Sequence, residues 1–314
     1  MGFETGSSMN FDPAVTGQTN SFWVPEIFSK KVQVAFRKAS VAEAITNTDY
    51  TGEISQFGDT VNIIKEPQIS VADYTRHKAT ATDQTDLTDE ELVMQIDQAK
   101  YFQFVVDDLE KRFSHVNWQQ VASDNAAYKL KDAMDSNVLT AISTGAAAAN
   151  TYGSVSAPID TGHDSGETDP LDVLARLARL LDEQNVPEEN RWVVARPQFY
   201  EELAKTNSKL LSVDYNAGAG SLRNGLVASG ELRGFKMYKS NNVPNATGTG
   251  SYTGETLRMV MAGHMSAVAT AQALSTVETV RSTTSFEDIV RGLLVWGRKV
   301  LRPEGLAVAY TLID

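Results

Sequence analysis

Apolar residues along this chain follow two periods and leave two long stretches with neither. Between residues 59 and 96 they alternate: Asp59-Thr60-Val61-Asn62-Ile63-Ile64, then Ile69-Ser70-Val71 after Pro67, then Leu92-Val93-Met94-Gln95-Ile96. A period of two places successive side chains on opposite faces, so these are read as strands. From Val105 to Ser143 the spacing changes to three and four, through Leu109, Phe113, Val116, Ala127, Leu130, Met134, Val138 and Ile142. No glycine or proline interrupts that run. It predicts one helix of roughly 55 Å at about 1.5 Å per residue, ended by Gly145. Gln120, Ser123 and Asp124 break the stripe, which favours a helix lying on a sheet over a coiled-coil seam.

Gly153, Pro158, Gly162 and Gly166 among serines, threonines and aspartates mark a loop from Asn150 to Asp169 and a boundary between lobes. A helix follows, capped by Asp169 with Pro170 at its first position and buried through Leu171, Leu174, Leu177, Ala178 and Leu181. Asn185-Val186-Pro187 stops it. Arg191 to Ala195 reads as a short buried strand, and Pro197 opens a helix carrying Phe199, Tyr200 and Leu203. From Val277 to Leu312, ionic residues recur among β-branched and aromatic ones before the apolar run Leu306 to Leu312. Such a mixture suits strands whose outer faces meet other protein rather than water. The fold class is α+β.

The two aperiodic stretches carry their own information. Residues 1 to 24 mix Gly, Ser, Thr and Asn, with Phe3, Phe11, Phe22 and Trp23 as the large apolar groups. Such a segment cannot offset its own ordering entropy. It is an arm that is disordered in a monomer or ordered across neighbours, with Phe22-Trp23-Val24-Pro25 anchoring its end. A short helix is expected from Pro25, with Ile27, Val34 and Ala35 or Phe36 inward. The second stretch, Ala72 to Glu91, is polar and contains Arg76, His77 and Lys78. Loops of that length between strands are usually functional or disordered.

Composition narrows the function. The chain has 314 residues, enough for one large core or two modest ones. It has no run of about 18 apolar residues, so no membrane span is expected, and no signal-peptide pattern. Cysteine is absent, which excludes disulfides, thiolate catalysis and sulfur-ligated metal. A net charge of -12 argues against a surface that grips nucleic acid throughout, since that affinity depends on Lys and Arg displacing counterions.

Catalytic patterns are missing as well. The histidines His77, His115, His163 and His264 are scattered and none pairs at i,i+4, so no metal site is expected. No Gly-x-Ser-x-Gly elbow occurs. The glycines of Asn216 to Arg223 lack the Gly-Lys-Ser/Thr of a phosphate loop, and Arg223 stands where a dinucleotide fingerprint needs its third glycine. Acid pairs at Asp107-Asp108, Asp89-Glu90-Glu91, Glu188-Glu189 and Glu201-Glu202 sit near expected helix starts or in turns, where solvation and helix dipoles explain them. No enzyme and no cofactor is expected.

Phe286 and Asp288, then a hydrophobic strand, then Trp296-Gly297-Arg298-Lys299 and Arg302-Pro303-Glu304, resemble the C-terminal region of the major capsid proteins of tailed bacteriophages, the HK-97-like family. The Asn185-Val186-Pro187, Arg191-Trp192-Val193-Val194 and Pro197 to Tyr200 series is similar to the axial domain of that family. So are Gly234 to Tyr238, Ser240 to Pro244 and Met259 to His264. The resemblance covers most of residues 22 to 312 in the family's order. It implies an HK-97-like fold with residues 1–24 as N-terminal arm, 25–49 as a first helical region, and 50–100 as an extended two-stranded loop with peripheral-domain strands. Residues 101–149 would be the spine helix, 150–276 the axial domain, and 277–314 C-terminal strands that close the two domains together. Asn207 to Gly225 would lie near the axial tip.

The implied function is a coat subunit that self-assembles into pentamers and hexamers of an icosahedral head enclosing double-stranded DNA, without sequence-specific binding. An encapsulin-like compartment subunit, with an enzyme cargo, is the alternative on the same fold. The resemblance also implies a portal, a decoration protein in some relatives, and synthesis in the host cytoplasm. Relatives that encode their own scaffold begin with a long charged helical extension, so a separate scaffolding protein is expected here, or a removed propeptide. Expected contacts between subunits are Phe22 and Trp23 from the arm, Arg76, His77 and Lys78 from the loop, and Arg291 and Arg298 pairing with acids across interfaces. Some relatives cross-link a loop lysine to a neighbour's asparagine, for which Lys65 and Lys78 are available.

Overall fold

A strand buried on both faces has no polar side to show, and Arg191-Trp-Val-Val-Ala195 and Leu306-Ala-Val-Ala309 are such strands. In the computed structural model, which describes residues 40–52, 60–65, 76, 90–108, 118–205 and 231–313, both lie in one eight-stranded mixed sheet. Its strands are β4 (Thr151–Tyr152), β5 (Ile159–Asp160), β6 (Arg191–Ala195), β7 (Glu231–Leu232), β8 (Phe235–Lys239), β9 (Asn245–Thr247), β10 (Thr256–His264) and β13 (Leu306–Leu312). The order is β4-β13-β10-β6-β8-β7, with β5 on β13 and β9 on β10.

Each central strand divides its side chains between two cores. Val193, Ala195, Val260, Ala262, Ala307 and Ala309 face helix α3 (Pro170–Glu183) and helix α4 (Pro197–Ala204). Trp192, Val194, Met259, Met261, Leu306 and Val308 face the opposite way, toward the long helix α2 (Trp118–Gly145). Alanines dominate the first set, which lets α3 lie close to the sheet with Leu171, Leu174, Leu177 and Leu181 buried. Helix α3 starts as its sequence requires: the Asp169 carboxylate accepts from the Leu171 amide at 2.9 Å, and Pro170 stands at the first turn.

The second sheet has three antiparallel strands in the order β11-β12-β3: β11 (Val268–Arg281), β12 (Glu287–Val300) and β3 (Gln98–Asp107). The late strands therefore do return to one formed far earlier, and β13 returns to the larger sheet. Two expectations need correction. Residues 101–107, assigned to the spine helix, are strand, because Phe102, Phe104 and Val106 alternate toward one face and pair with β12. Helix α2 begins only at Trp118 and measures about 42 Å at about 1.5 Å per residue. The axial boundary at 276 falls inside β11, which runs unbroken through it apart from a register shift between Gln272 and Leu274.

Helix α2 joins the sheets. Met134, Val138, Leu139 and Ile142 pack in one core with β6, β10 and β13 of the large sheet and Leu294 and Trp296 of the small one. The short helix α1 (Ala42–Ile45) closes the same core. Helix α2 thus packs on sheets, as the interrupted stripe implied, though Ala127 of that stripe is exposed. The residues of the helix expected from Pro25, the strand at Ile69 to Val71, and Leu109, Phe113 and Val116 lie outside the described residues.

Candidate functional site

The small sheet is covered unequally. One face carries Phe102, Phe104, Val106, Val290, Gly292 and Leu294, half-buried to buried. Phe102 and Phe104 stack at 6.0 Å, and a Cβ at Gly292 would lie 2.3 Å from the Phe102 ring. Among the described residues, the other face is covered only at its root. There the antiparallel ribbon of β1 (Thr60–Lys65) and β2 (Glu90–Gln95) sets Val61, Met94 and Ile96 on Ala269, Ala271 and Val295. The Gln95 carbonyl would stand 2.7 Å from any Cβ on Gly297, so the glycine of the Trp-Gly-x-Lys motif is the space the ribbon crosses. Its neighbour Trp296 points into the main core and donates from Nε1 to Asn137 at 3.3 Å.

Beyond that root the same face is open. Register pairs Leu293 with Tyr101, Ile289 with Val105 and with Val280, so these five side chains share it. Tyr101 is 75% exposed, Val105 47%, Val280 38% and Leu293 36%. Between them Arg291 pairs with Glu278 on the neighbouring strand. The β11–β12 turn is braced at its base: Arg281 bonds Asp108 through both guanidinium nitrogens and Asp288 through one, at 3.1 Å. These two carboxylates hold the Arg281 guanidinium well above its ordinary value. The Asp108 amide donates to the Phe286 carbonyl at 3.2 Å, and Ser282 bonds Ser285 at 2.8 Å. Phe286, inside this braced turn, is 84% exposed.

A second cluster is centred on a buried acid. Asp135 of α2 is 0% exposed and one of its carboxylate oxygens accepts from the amides of Val41 and Ala42, both at 2.8 Å, and from the Ser40 hydroxyl at 3.2 Å. Its other oxygen accepts from Asn242 Nδ2 at 2.9 Å, which also donates to Asp132 at 2.7 Å. One carboxylate thus caps α1 and fixes the turn after β8. Nothing in the sequence pattern pointed to Asp135 or Asn242, although an acid between Met134 and Val138 on a buried face was the available signal.

The expected contact residues are scattered. Phe22, Trp23, His77 and Lys78 lie outside the described residues. Arg76 is exposed in a turn, Lys65 ends β1 opposite Glu90 in the register, and Arg298 is half-buried opposite Thr270. Arg291 pairs within its own chain, with Glu278, rather than waiting for a foreign acid. His163 bonds the Glu202 carbonyl through Nε2 at 2.8 Å and His264 bonds Ser266 through Nδ1 at 2.7 Å. Burial pushes the His264 pKa down. Among the described residues no group of three or more potential ligands could hold a metal, and no helix is long and apolar enough to cross a membrane.

A family model of phage capsid protein matches residues 89–309. The chain belongs to the phage capsid protein family. Solved structures place this capsid protein among HK-97-like folds. A chain in a structure of Mycobacterium phage Che8 has 26% identity and a TM-score of 0.70, over 91% of this chain and 97% of that one. The capsid of cyanophage P-SCSP1u has 20% identity and a TM-score of 0.70, over 97% and 100%. That of Ralstonia phage GP4 has 14% identity and a TM-score of 0.69, over 99% of each chain. No curated protein sequence matches. The matched residues contain β6, β10, β12 and α2, with Asp135, Asp132 and Asn242 of the buried cluster but not its partners Ser40, Val41 and Ala42.

Proposed function

We infer that this capsid protein is the major shell subunit of a phage head, assembling with copies of itself into pentamers and hexamers around double-stranded DNA. The observation that carries this reading is the family match over residues 89–309, joined to a sheet face on which the described residues Tyr101, Val105, Val280 and Leu293 stand exposed. An apolar face rimmed by polar groups belongs against other protein. Residues 1–24 act as an arm and 50–100 as an extended loop, both reaching neighbours. The helix Trp118–Gly145 transmits movement between the sheets, and an axial unit from residue 150 through β10 organises the capsomer. The DNA is enclosed without sequence reading, which a chain of net charge -12 favours.

A separate scaffolding protein, a portal and, in the finished head, a decoration protein complete the assembly, with synthesis in the host cytoplasm. Negative-stain electron microscopy of the expressed chain, with and without residues 1–24, tests the reading. Shells or capsomers that vanish on truncation are expected. A monomer in every condition would sink it. An encapsulin-like compartment would instead purify with an enzyme cargo.

A further inference from the structure

We propose that Ser266 is a nucleophile activated by His264, a modification site at which this chain takes an acyl group from an activated ester. Self-assembly neither supplies this chemistry nor needs it.

The short turn Met265–Ala267 carries the chain from β10 of the large sheet to β11 of the small one, with His264 at its start. The Ser266 amide donates to His264 Nδ1 at 3.2 Å. An amide nitrogen only donates, so Nδ1 is the unprotonated ring nitrogen and Nε2 carries the hydrogen. That tautomer settles the second bond. The Ser266 hydroxyl, 2.7 Å from the same Nδ1, is its donor. The amide bond alone is enough to cap the turn, whereas the hydroxyl bond sets a base beside a nucleophile at the separation that general-base catalysis uses.

The ring is oriented and kept neutral. A hydrogen bond with the Glu189 backbone engages it from its other side, the third contact that a base and nucleophile need. Burial first, and then the guanidiniums of Arg191 and Arg302, oppose its protonation. Arg191 is buried and engaged by the Val186 and Pro187 carbonyls and by Asp182 at 2.7 Å. Arg302 is exposed, and its amide donates to the Ala267 carbonyl at 3.2 Å, one residue from the serine. Its guanidinium therefore offers a positive charge to an oxyanion formed beside the turn. Met265 is 37% exposed and Ser266 half-buried, so an electrophile reaches the hydroxyl from solvent.

The step balances without any further reactant. The serine oxygen attacks the ester carbonyl and passes its proton to His264 Nδ1; the carbonyl re-forms as the bond to the leaving oxygen breaks, and that oxygen departs with the proton. An acylserine and a free alcohol or phenol result.

The test treats the full chain with 4-nitrophenyl acetate and locates the acetyl groups by mass spectrometry. Ser266, within residues 259–281 of a tryptic digest, should be acetylated at least about a hundredfold faster than in a His264→Gln chain. On the unsubstituted chain the rate should rise with pH as the imidazole loses its proton and then level off, with a midpoint below that of an ordinary histidine. A serine that only belongs to a capped turn has no such midpoint. Because this profile needs no variant, it decides the matter even where His264→Gln fails to fold. Other serines acetylated as fast as Ser266, a rate that climbs with hydroxide throughout, or an unchanged rate in a folded His264→Gln chain overturns the proposal.

Discussion

The two sheets of this subunit are built from similar residues and finished in opposite ways. The eight-stranded sheet is closed: α3 and α4 cover one face, α2 the other, and Trp192, Val193, Val194 and Ala195 of β6 are all 2% exposed or less. The three-stranded sheet buries Val290, Gly292 and Leu294 on one face, although Val277 there is 56% exposed, and leaves Tyr101 on the other at 75%. Burial of a large side chain contributes about 1.5–3 kcal/mol, so an apolar face left open is stabilisation withheld from the monomer. The difference separates what folds the chain from what the chain offers to others.

The widest gap between the regions should appear on truncating one large apolar side chain in each. Trp192→Ala opens a cavity between β6 and α2 and is expected to cost about 3–5 kcal/mol in denaturant unfolding. Val105→Ser on the open face should stay within about 0.5 kcal/mol. Equal losses would mean that the small sheet's outer face is packed in the subunit itself. The next effect belongs to the joint. Asp135→Ala leaves the Val41 and Ala42 amides without their acceptor, while Asn242 keeps its bond to Asp132. A loss of about 3 kcal/mol is expected, and Asn242→Ala should lose less, since it spares the cap on α1. Hydrogen exchange that rises at residues 40–46 in the first variant and not in the second would separate the two arms of the cluster.

What could be read ahead of the structure follows the same division. Helix α3, β6 and α4 were legible because each carries its own signals: a cap, a proline, and an apolar run short enough to be a strand. Strand β3 was not, because its partner β12 stands some 190 residues away, and Val105 and Val106 continue smoothly into a helical spacing. The Trp296-Gly297 pair was recognisable as a motif while its reason was invisible, since the Gln95 carbonyl over Gly297 is a contact between distant segments. Arg291 is offered by the sequence to a neighbour's acid, and the register sets Glu278 of the same chain beside it, a pairing of segments 13 residues apart that the turn between them decides.

Gly297→Ala probes where the covered part of the open face ends. Its Cβ would meet the Gln95 carbonyl at 2.7 Å and Ile96 at 3.2 Å, so the ribbon must move off the sheet. A cost of about 1–3 kcal/mol is expected. Faster proteolysis of the ribbon would localise it, whereas an unchanged melting curve would mean that the crossing is loose.

The smallest effect tests a tie between the regions at the surface. Lys131 of α2 bonds Glu43 of α1 at 2.9 Å, and Gln272 of β11 donates to the other oxygen of the same carboxylate at 3.0 Å. The Lys131 ammonium, and secondarily the Gln272 amide, hold the Glu43 carboxyl below its ordinary range against a partial burial that raises it. A carboxylate with a lowered folded pKa contributes stability above its unfolded pKa and loses it as pH falls through the folded one. Both side chains are about half exposed, so solvent screens the pair and Lys131→Met should cost at most about 0.5 kcal/mol at neutral pH. That difference should shrink toward zero as pH falls through the carboxylate range, and shrink also in high salt. A difference that stayed the same on acidification would mean that Lys131 acts otherwise than through the Glu43 carboxylate.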